Sequence, residues 1–409
     1  MALGTNWAGS YAYRAHTLHR PDTIEQLQEI VAGAPRIRVL GSRHTFSDIA
    51  DSDELVSLEA LPPTTSVSGD RLTVSGAARY GELAPLLDRE GVALHNLASL
   101  PHTTIAGAVA TATHGSGGGN GNLATAVAAL ELVTSTGDVI TAARGDENFD
   151  ALVVSLGALG AVTRLTLDVE PVYEVRQRVF EDLGWDTLFA DFEAITSAGY
   201  SVSVFTLWGE TSSVWIKSRG EPPEELAGAT AAPADRHPIP GIDPVNCTAQ
   251  LGVPGPWWDR LPHFRMGFTP SAGEELQSEF LVPRTHAIEA IQTVRALAPV
   301  VQPVLQVSEI RTIAADRLWL SPQYGTDTIG IHFTWTREPE PVERALAQVE
   351  AALEPFSARP HWGKLFLRSP AHRYERREDF LGLVERFDPR GAFRNAWLER
   401  ALDLHAGSA

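Results

Sequence analysis

Residues 97–124, LASLPHTTIAGAVATATHGSGGGNGNLA, are rich in Gly, Ala, Ser and Thr and carry little regular periodicity. Small side chains let a backbone approach a flat or phosphorylated ligand closely. The segment nevertheless fits neither common nucleotide-binding turn. Its glycines follow no buried strand, and no GxGxxG opens a helix with an acidic residue about 20 positions later, so it is not a Rossmann fingerprint. No Gly-Lys-Ser/Thr is present, so it is not a P-loop. The GGGNG run by itself reads as a flexible loop.

Helices and strands alternate on both sides of this segment. Before it, Asp22 and Glu25 read as a capping box for a helix carrying Ile24, Leu27, Ile30 and Val31. Residues 37–40 read as a strand that breaks at Gly41 into the polar turn GSRHTF. Strands LVSLEAL and RLTVSGA follow, then a helix over 80–89. After it, AALELVTSTGDVITA is a hairpin turning at Thr136, Gly137 and Asp138. A helix over 148–156 leads into the strand AVTRLTLDVEP, which Pro171 closes. In the second half, strands are predicted near 172–179 and at SVSVFTLW, SVWIK, VLQVSEIRTI, IGIHFTW and WGKLFL, with helices near 185–198, 285–297 and 340–353. Residues 219–262 are a long Pro- and Gly-rich stretch with Trp257 and Trp258. A loop of that length is usually functional or wraps another surface. REDFLGLVERFDPRGAFRNAWL adds an amphipathic helix and a turn. At about 150 residues per domain, 409 residues suggest two or three domains.

Charge and cysteine usage narrow the partners. Asp and Glu outnumber Lys and Arg by 51 to 33. A duplex-binding surface needs clustered positive charge, so the balance argues against nucleic acid and anionic membrane. Cys247 is the single cysteine, so no internal disulfide and no CxxC zinc pattern is possible. The N-terminal residues lack a charged region followed by an apolar run, and no 18-residue apolar stretch occurs, so a cytoplasmic protein without a membrane span is expected. Of the 33 basic residues only Lys217 and Lys364 are lysines. A G+C-rich genome accounts for the average. Each lysine still merits a question, because lysine can lose its proton in a buried site and arginine cannot.

Several short patterns could carry chemistry. In VLGSRHTF a strand runs into a tight turn whose backbone N–H groups suit phosphate oxygens, with His44 at its edge. Taken alone, a surface turn with an incidental His explains it better. In VSEIRTI, Glu309 and Arg311 share a strand face with Val307 and Ile313, while Ile310 points the other way. A carboxylate and a guanidinium on one face could grip a polyol; a structural ion pair explains them equally well. His332 and Thr334 likewise share one face of IHFTW. Lys364 sits in HWGKLF with His361, among Trp362, Leu365, Phe366 and Leu367. An apolar site depresses a lysine's pKa and makes it a usable base; a lysine snorkelling from a strand edge is the alternative. There is no HExxH, no GxSxG and no obvious His partner for Cys247. Hydrolase and metalloprotease readings therefore lack support, and no metal site is expected.

Taken in order, Asn6–Trp7–Ala8–Gly9, Gly41–Ser42–Arg43–His44, LASLPH with THGSG, VSEIR, IHFTW, HWGK and FDPRGAFRN resemble the vanillyl-alcohol oxidase family of FAD-linked oxidases. The motifs span almost the whole chain. The first His and the HWGK element are shared with sugar-lactone oxidases. VSEIR with FTW is similar to the branch that oxidises alditols. The resemblance implies an α+β fold with three parts. Residues 1–172 would form a two-part FAD-binding domain. Residues 173–375 would form a substrate (cap) domain with an antiparallel sheet flanked by helices. Residues 376–409 would return to the FAD-binding domain. FAD would lie between the domains, covalently attached through His44 to the flavin 8α-methyl, a bond that would raise its redox potential. No Cys lies in 97–124 to make a second linkage.

By the same resemblance, Gly41, Ser42, Arg43 and Thr45 surround the pyrophosphate. Ser99, Thr104, Gly107, Thr111, Thr113 and His114 line the rest of the cofactor, Val162 adds a backbone contact, and His361 sits beside the isoalloxazine. Ser99, Gln277, Glu309, Arg311, Thr334 and Lys364 face the polyol. The implied activity is oxidation of the terminal C1 hydroxyl of alditols such as xylitol and sorbitol to the aldose, with hydride passing to flavin N5 and O2 reduced to H2O2. Lys364, with Arg311, takes or polarises the hydroxyl proton, while Glu309, Ser99 and Thr334 hold the other hydroxyls. Arg311, Lys364 or His361 supplies a cation near the flavin pyrimidine edge. Ala98, small and beside the flavin edge, leaves oxidase against dehydrogenase open. A monomer with a small polyol and O2 as partners is expected. The alternatives are a sugar-lactone oxidase or dehydrogenase of the same family, and a non-catalytic flavin- or sugar-binding protein. Glu309 argues against the lactone, since a carboxylate suits hydroxyls better than a lactone carbonyl.

Overall fold

The computed structural model describes residues 3–267 and 275–404; residues 405–409 of the expected C-terminal segment lie outside it. The first half holds two main sheets. In the first, β1 (Thr17–His19), β2 (Ile37–Val39) and β3 (Glu54–Val56) pair in parallel in the order β1-β3-β2. Helix α1 (Ile24–Gly33) lays Leu27 and Val31 against Ile37 and Val56. Its cap differs from expectation by one residue. Thr23 Oγ1 accepts from the Gln26 N–H at 3.2 Å, and Gln26 Oε1 accepts from the Asp22 N–H at 3.0 Å. Thr23 and Gln26 satisfy the same box pattern as Asp22 and Glu25, and the helix starts where the hydroxyl reaches the free N–H.

The second sheet is antiparallel. It runs β4 (Thr65–Ser68), β5 (Arg71–Ser75), β9 (Ala161–Asp168), β7 (Val127–Val133), β8 (Val139–Ala143), with the hairpin predicted at 136–138 turning over residues 134–138. The short β6 (Val92–Ala93) pairs with β10 (Glu170–Pro171). Alternate residues Leu72, Val74, Leu165 and Leu167 join a core with Leu83 and Leu87 of α2 (Tyr80–Arg89). The same core takes in α3 (Ile105–Ala110) and α4 (Phe149–Val153). Helix α3 lies inside the small-residue stretch, where no helix was predicted. IAGAVA is too poor in large side chains to show a helical apolar face.

The second half is built on a nine-stranded sheet. Its strands are β11 (Glu174–Gly184), β12 (Ser201–Thr206), β13 (Thr211–Ser218), β14 (Thr230–Ala231), β15 (Gly255–Pro256), β16 (Leu276–Pro283), β17 (Leu305–Ile313), β18 (Thr328–Trp335) and β19 (Arg359–Pro360). Their order is β14-β11-β13-β12-β17-β18-β16-β19, with β15 beside β11. The predicted helix over 185–198 is two short ones, α5 (Trp185–Ala190) and α6 (Phe192–Thr196). Helices α7 (Ala287–Ala296), α8 (Ala298–Val301) and α9 (Pro339–Leu353) follow. Register makes the sheet two-faced. Val204, Ile310, Ile331 and Phe280 are successive cross-strand partners and pack on Ile291 and Val294 of α7 and Leu346 and Val349 of α9. One residue along, Phe205, Glu309, His332 and Glu279 form the corresponding row on the opposite face.

WGKLFL is not a strand. After β19 the chain turns at His361–Lys364, with the Lys364 N–H donating to the His361 carbonyl at 3.0 Å. His361 N–H and Leu365 N–H still bond β16 at Glu279 and Gln277. The apolar pattern that suggested a strand comes from Trp362 and Phe366, which point into the first-half core. Helices α10 (Arg377–Phe387) and α11 (Ala396–Ala401) bring Phe380, Leu383, Trp397 and Leu398 into that core as well. The buried Arg38 guanidinium donates to the carbonyls of Ile49, Leu156, Gly157 and Phe393, tying the tail to β2. Among the described residues no helix is long and apolar enough to cross a membrane.

Candidate active site

A cavity of about 690 Å³ lies between the first half and the polar sheet face. Its wall includes the turn after β2 (Gly41, Ser42, Arg43, His44, Thr45) and the region around α3 (Ser99, Thr104, Gly107, Thr111, Thr113, His114). Val162 of β9, Gln277 of β16, Glu309 and Arg311 of β17, Thr334 of β18, and His361 and Lys364 of the following turn complete the set named from sequence. Motifs scattered over the whole chain thus converge on one space.

The His44 end is held from several sides. Arg43 adopts φ +63°, which turns the backbone sharply. Asn6 Nδ2 donates to the Thr45 carbonyl at 2.9 Å, and the Trp7 ring stacks on His44 with centroids 5.3 Å apart. Ser42 Oγ accepts from the Thr104 N–H at 3.0 Å, which ties the turn to the start of α3. Gly41 permits this approach, since a Cβ there would sit 2.6 Å from Thr104 Oγ1. The Arg43 guanidinium donates from Nη1 to the Leu3 carbonyl at 2.9 Å, anchoring the turn to the N-terminal segment.

His44 Nδ1 lies 2.9 Å from the Ser42 carbonyl, which can only accept. The proton is therefore assigned to Nδ1, leaving Nε2 as an acceptor or nucleophile. Burial, reinforced by nearby His102, lowers the His44 pKa to about 4, so the ring is neutral near pH 7. Nε2 is buried and has no partner among the described residues, as are Thr45 Oγ1 and Thr103 Oγ1. Buried polar atoms are almost always paired. Three such atoms on one partly apolar cavity wall, beside the small-residue stretch, fit a cofactor with a flat ring and a polar chain. FAD fits these residues.

The other end is a dense polar cluster. Glu279, which the sequence reading missed, is its centre. Its Oε2 accepts from Lys364 Nζ at 2.6 Å and its Oε1 from Arg311 Nη2 at 2.5 Å. His114 Nε2 stands 3.4 Å away. Burial alone would raise the Glu279 pKa, but Arg311, Lys364 and His114 overcome it and hold the carboxyl well below its usual range. Gly330 makes room, because a Cβ there would lie 2.9 Å from Glu279 Oε1. His114, Glu279 and His361 bring ligand-type atoms within 4.8 Å of one another, but both oxygens of the carboxylate are already bonded, to Arg311 and Lys364.

Lys364 is not in the apolar pocket expected from its neighbours in sequence. Besides Glu279 it contacts His332 Nδ1 at 2.7 Å, and His332 Nε2 lies 3.0 Å from Thr334 Oγ1. Burial lowers the Lys364 pKa, and Glu279 partly restores it. His332 is lowered to about 4, by burial first and then by Lys364. Glu309 has a different partner, His263 Nε2 at 3.0 Å, and its Oε2 lies 3.7 Å from Arg311 Nε. Burial raises the Glu309 pKa, but Arg311 and His263 bring it far below the usual range. The site thus presents a fixed carboxylate, a fixed guanidinium and an amine of reduced basicity. A lone carboxylate within the apolar strand LQSEFLVP was the one available sequence signal for Glu279. His263 directly follows the 219–262 stretch, where no periodicity points to a partner.

A family model described as an FAD binding domain matches residues 15–143, and one described as D-arabinono-1,4-lactone oxidase matches residues 273–401. Alditol oxidase from a Streptomyces species is 47% identical, covering 98% of this chain and 99% of its own length. L-gulono-1,4-lactone dehydrogenase from Mycobacterium tuberculosis is 28% identical, covering 98% and 99%. L-gulonolactone oxidase from Bos taurus is 25% identical, covering 97% of each. The crystal structure of cholesterol oxidase from Brevibacterium sterolicum superposes with a TM-score of 0.79 at 15% identity, covering 98% of this chain and 96% of the other. That likeness shows a shared fold. The chain is α+β, and it belongs to the vanillyl-alcohol oxidase-type family of FAD-linked oxidases, in the alditol oxidase branch.

Proposed function

We propose that the protein oxidises the C1 hydroxyl of alditols such as xylitol and sorbitol to the aldose, with O2 as second substrate and H2O2 as second product. The observation that carries this reading is the polar sheet face at one end of the cavity. There Glu309, Arg311, Thr334 and Gln277 stand beside an amine, Lys364, whose basicity burial reduces. When bound, FAD supplies the hydride acceptor and the route to oxygen.

The chain's own residues do the rest. Gly41, Ser42, Arg43 and Thr45, with Ser99, Thr104, Gly107, Thr111, Thr113, His114 and Val162, would hold the cofactor, and His361 would lie beside its ring. His44, neutral and with a buried Nε2 that has no partner among the described residues, would be the attachment point. Lys364, in its neutral form, takes the C1 hydroxyl proton. His332, bonded between Lys364 and Thr334, links the base to that hydroxyl side chain. Glu309, Ser99, Thr334 and Gln277 bind the remaining hydroxyls and fix C1 for transfer. Arg311 keeps a permanent positive charge in the site. Gln277 Nε2 already donates to Glu275 at 2.6 Å, which leaves its carbonyl oxygen for a substrate hydroxyl.

The test is peroxide release in air from the purified, flavin-loaded protein with xylitol, sorbitol and an aldonolactone. Peroxide from the alditols is expected. Bleaching of the flavin by alditols without peroxide would mean a dehydrogenase. Turnover of the lactone alone would favour the second reading, a lactone oxidase, which the match of residues 273–401 to a lactone oxidase model keeps in play.

A further inference from the structure

Lys217, the only lysine besides Lys364, is fully buried on β13 and takes no part in the chemistry above. Its Nζ bonds the Leu261 carbonyl at 2.5 Å and His263 Nδ1 at 3.2 Å. Across the same ring, His263 Nε2 meets Glu309 Oε1 at 3.0 Å. Phe205 and Trp215 close edge-on around the imidazole, with centroids 5.3 and 5.6 Å away. The ring cannot swing without losing both polar partners. The geometry points to Lys217 as a positioning residue for polyol binding: through His263 it fixes the Glu309 carboxylate in the orientation that receives substrate hydroxyls.

The argument is one of donors and acceptors. A lysine ammonium offers three donors and no acceptor, so the His263 nitrogen facing it must be unprotonated. The ring proton then belongs on Nε2, where it donates to Glu309. The opposite tautomer would set a bare nitrogen lone pair against a buried carboxylate. Which ring nitrogen carries the proton is set by the bond the other makes. With Oε1 taken by His263, Oε2 is the oxygen left to the cavity and Arg311. The chain Lys217–His263–Glu309 enters the site from the side opposite Lys364. Burial lowers Lys217 to about 7, against the pull of Glu309, while Cys247 also raises it and Arg311 lowers it. The negative charge of Glu309 thus helps hold Lys217 in the donor form, and Lys217 in turn secures the bond to Glu309.

This inference rests on the proposed polyol role of Glu309, and its test separates the two. In Lys217→Met the KM for xylitol is expected to rise roughly tenfold, the scale of one hydrogen bond to a charged group, with kcat changed less than about threefold. In a Glu309→Gln background the same substitution should add nothing. His263→Gln keeps an amide N–H for Glu309 and a carbonyl for Lys217, and should retain a KM within about threefold of wild type, whereas His263→Leu should match Lys217→Met. If Lys217→Met fails to fold, the His263 pair decides. Independently of substrate, the 15N shifts of labelled His263 should report a single Nε2–H tautomer in wild type, with the Nδ1 shift moving to that of an acceptor without a donor in Lys217→Met. Failure of wild type to turn over any alditol would overturn the functional reading and leave the tautomer result standing. A wild-type KM in Lys217→Met, or His263→Leu behaving as His263→Gln, would overturn the inference.

Discussion

Lys364 shows how one residue's chemistry is decided by what it touches. An amine 2.6 Å from Glu279 and 2.7 Å from His332 has directional partners and a lowered pKa, with burial as the first cause. As a base it must be unprotonated, so kcat/KM should rise with pH and level off below the ordinary lysine value of 10.5. Lys364→Met should lower kcat by roughly 10²- to 10⁴-fold and flatten that rise, while the protein stays yellow. Stability has the same sign. The unfolded chain binds the Lys364 proton more tightly than the folded one, so this contribution to stability grows as pH climbs from the folded to the unfolded pKa. Urea midpoints at pH 7 and pH 10 check it: the wild type should gain on Lys364→Met at the higher pH. His44 makes a second prediction at this scale. Acid-precipitated wild type should keep its yellow colour in the pellet, and His44→Ala should release FAD to the supernatant while binding it at neutral pH.

At the scale of the element, strand register does the assembling. Period-2 alternation made the Glu309–Arg311 and His332–Thr334 faces readable, and cross-strand pairing put Glu309 opposite His332. The same alternation misled at WGKLFL, because a turn can carry large apolar residues when they plug a neighbouring core, as Trp362 and Phe366 do. Helix 80–89 was legible to the residue, since its apolar face is made of full-sized side chains. Helix α3 was not, since alanine and glycine carry almost no pattern. Glu279 was missed for a different reason: its partners lie 32 and 85 residues away, and only the folded sheet brings them together. Gly330 tests this level. Gly330→Ala would drive a methyl toward a carboxylate clamped by two cations, with Leu281 and Ile313 also close. We expect a loss of about 1–3 kcal/mol in stability from overpacking, and at least a tenfold fall in kcat/KM as Glu279 shifts under Lys364. Chemical denaturation and steady-state kinetics on one preparation read both. Normal kinetics with reduced stability would mean that the cluster tolerates the displacement.

The whole molecule matters because the cavity has one wall from each half, so anything that loosens the halves opens the site. Asn122 is placed to resist that. Its Nδ2 lies 2.7 Å from Asp316 Oδ2, 3.0 Å from Ser321 Oγ and 3.0 Å from Gln323 Oε1, so its two N–H groups are shared among three acceptors across the junction, while its Oδ1 accepts from the Ala124 N–H. Gly117 N–H reinforces the seam by donating to the Thr312 carbonyl at 2.8 Å. Asp316 is pushed up to about 6, chiefly by burial, while Ser321, the Leu318 N–H and Asn122 hold it down. Its folded pKa exceeds the unfolded value of 3.8, so the protonated form favours folding, and that contribution fades as pH rises from about 4 through 6. Asn122→Ala removes a donor that stabilises the charged carboxylate, so the Asp316 pKa climbs further. The mutant should therefore lose about 1–3 kcal/mol of stability at pH 8 and less at pH 5, where Asp316 is largely protonated. Urea unfolding at the two pH values measures the difference, and flavin retention on gel filtration at pH 8 reads the opening of the cavity. An equal loss at both pH values would show that Asn122 acts through its neutral bonds to Ser321 and Gln323, making the seam a packing contact with no dependence on the charge of Asp316.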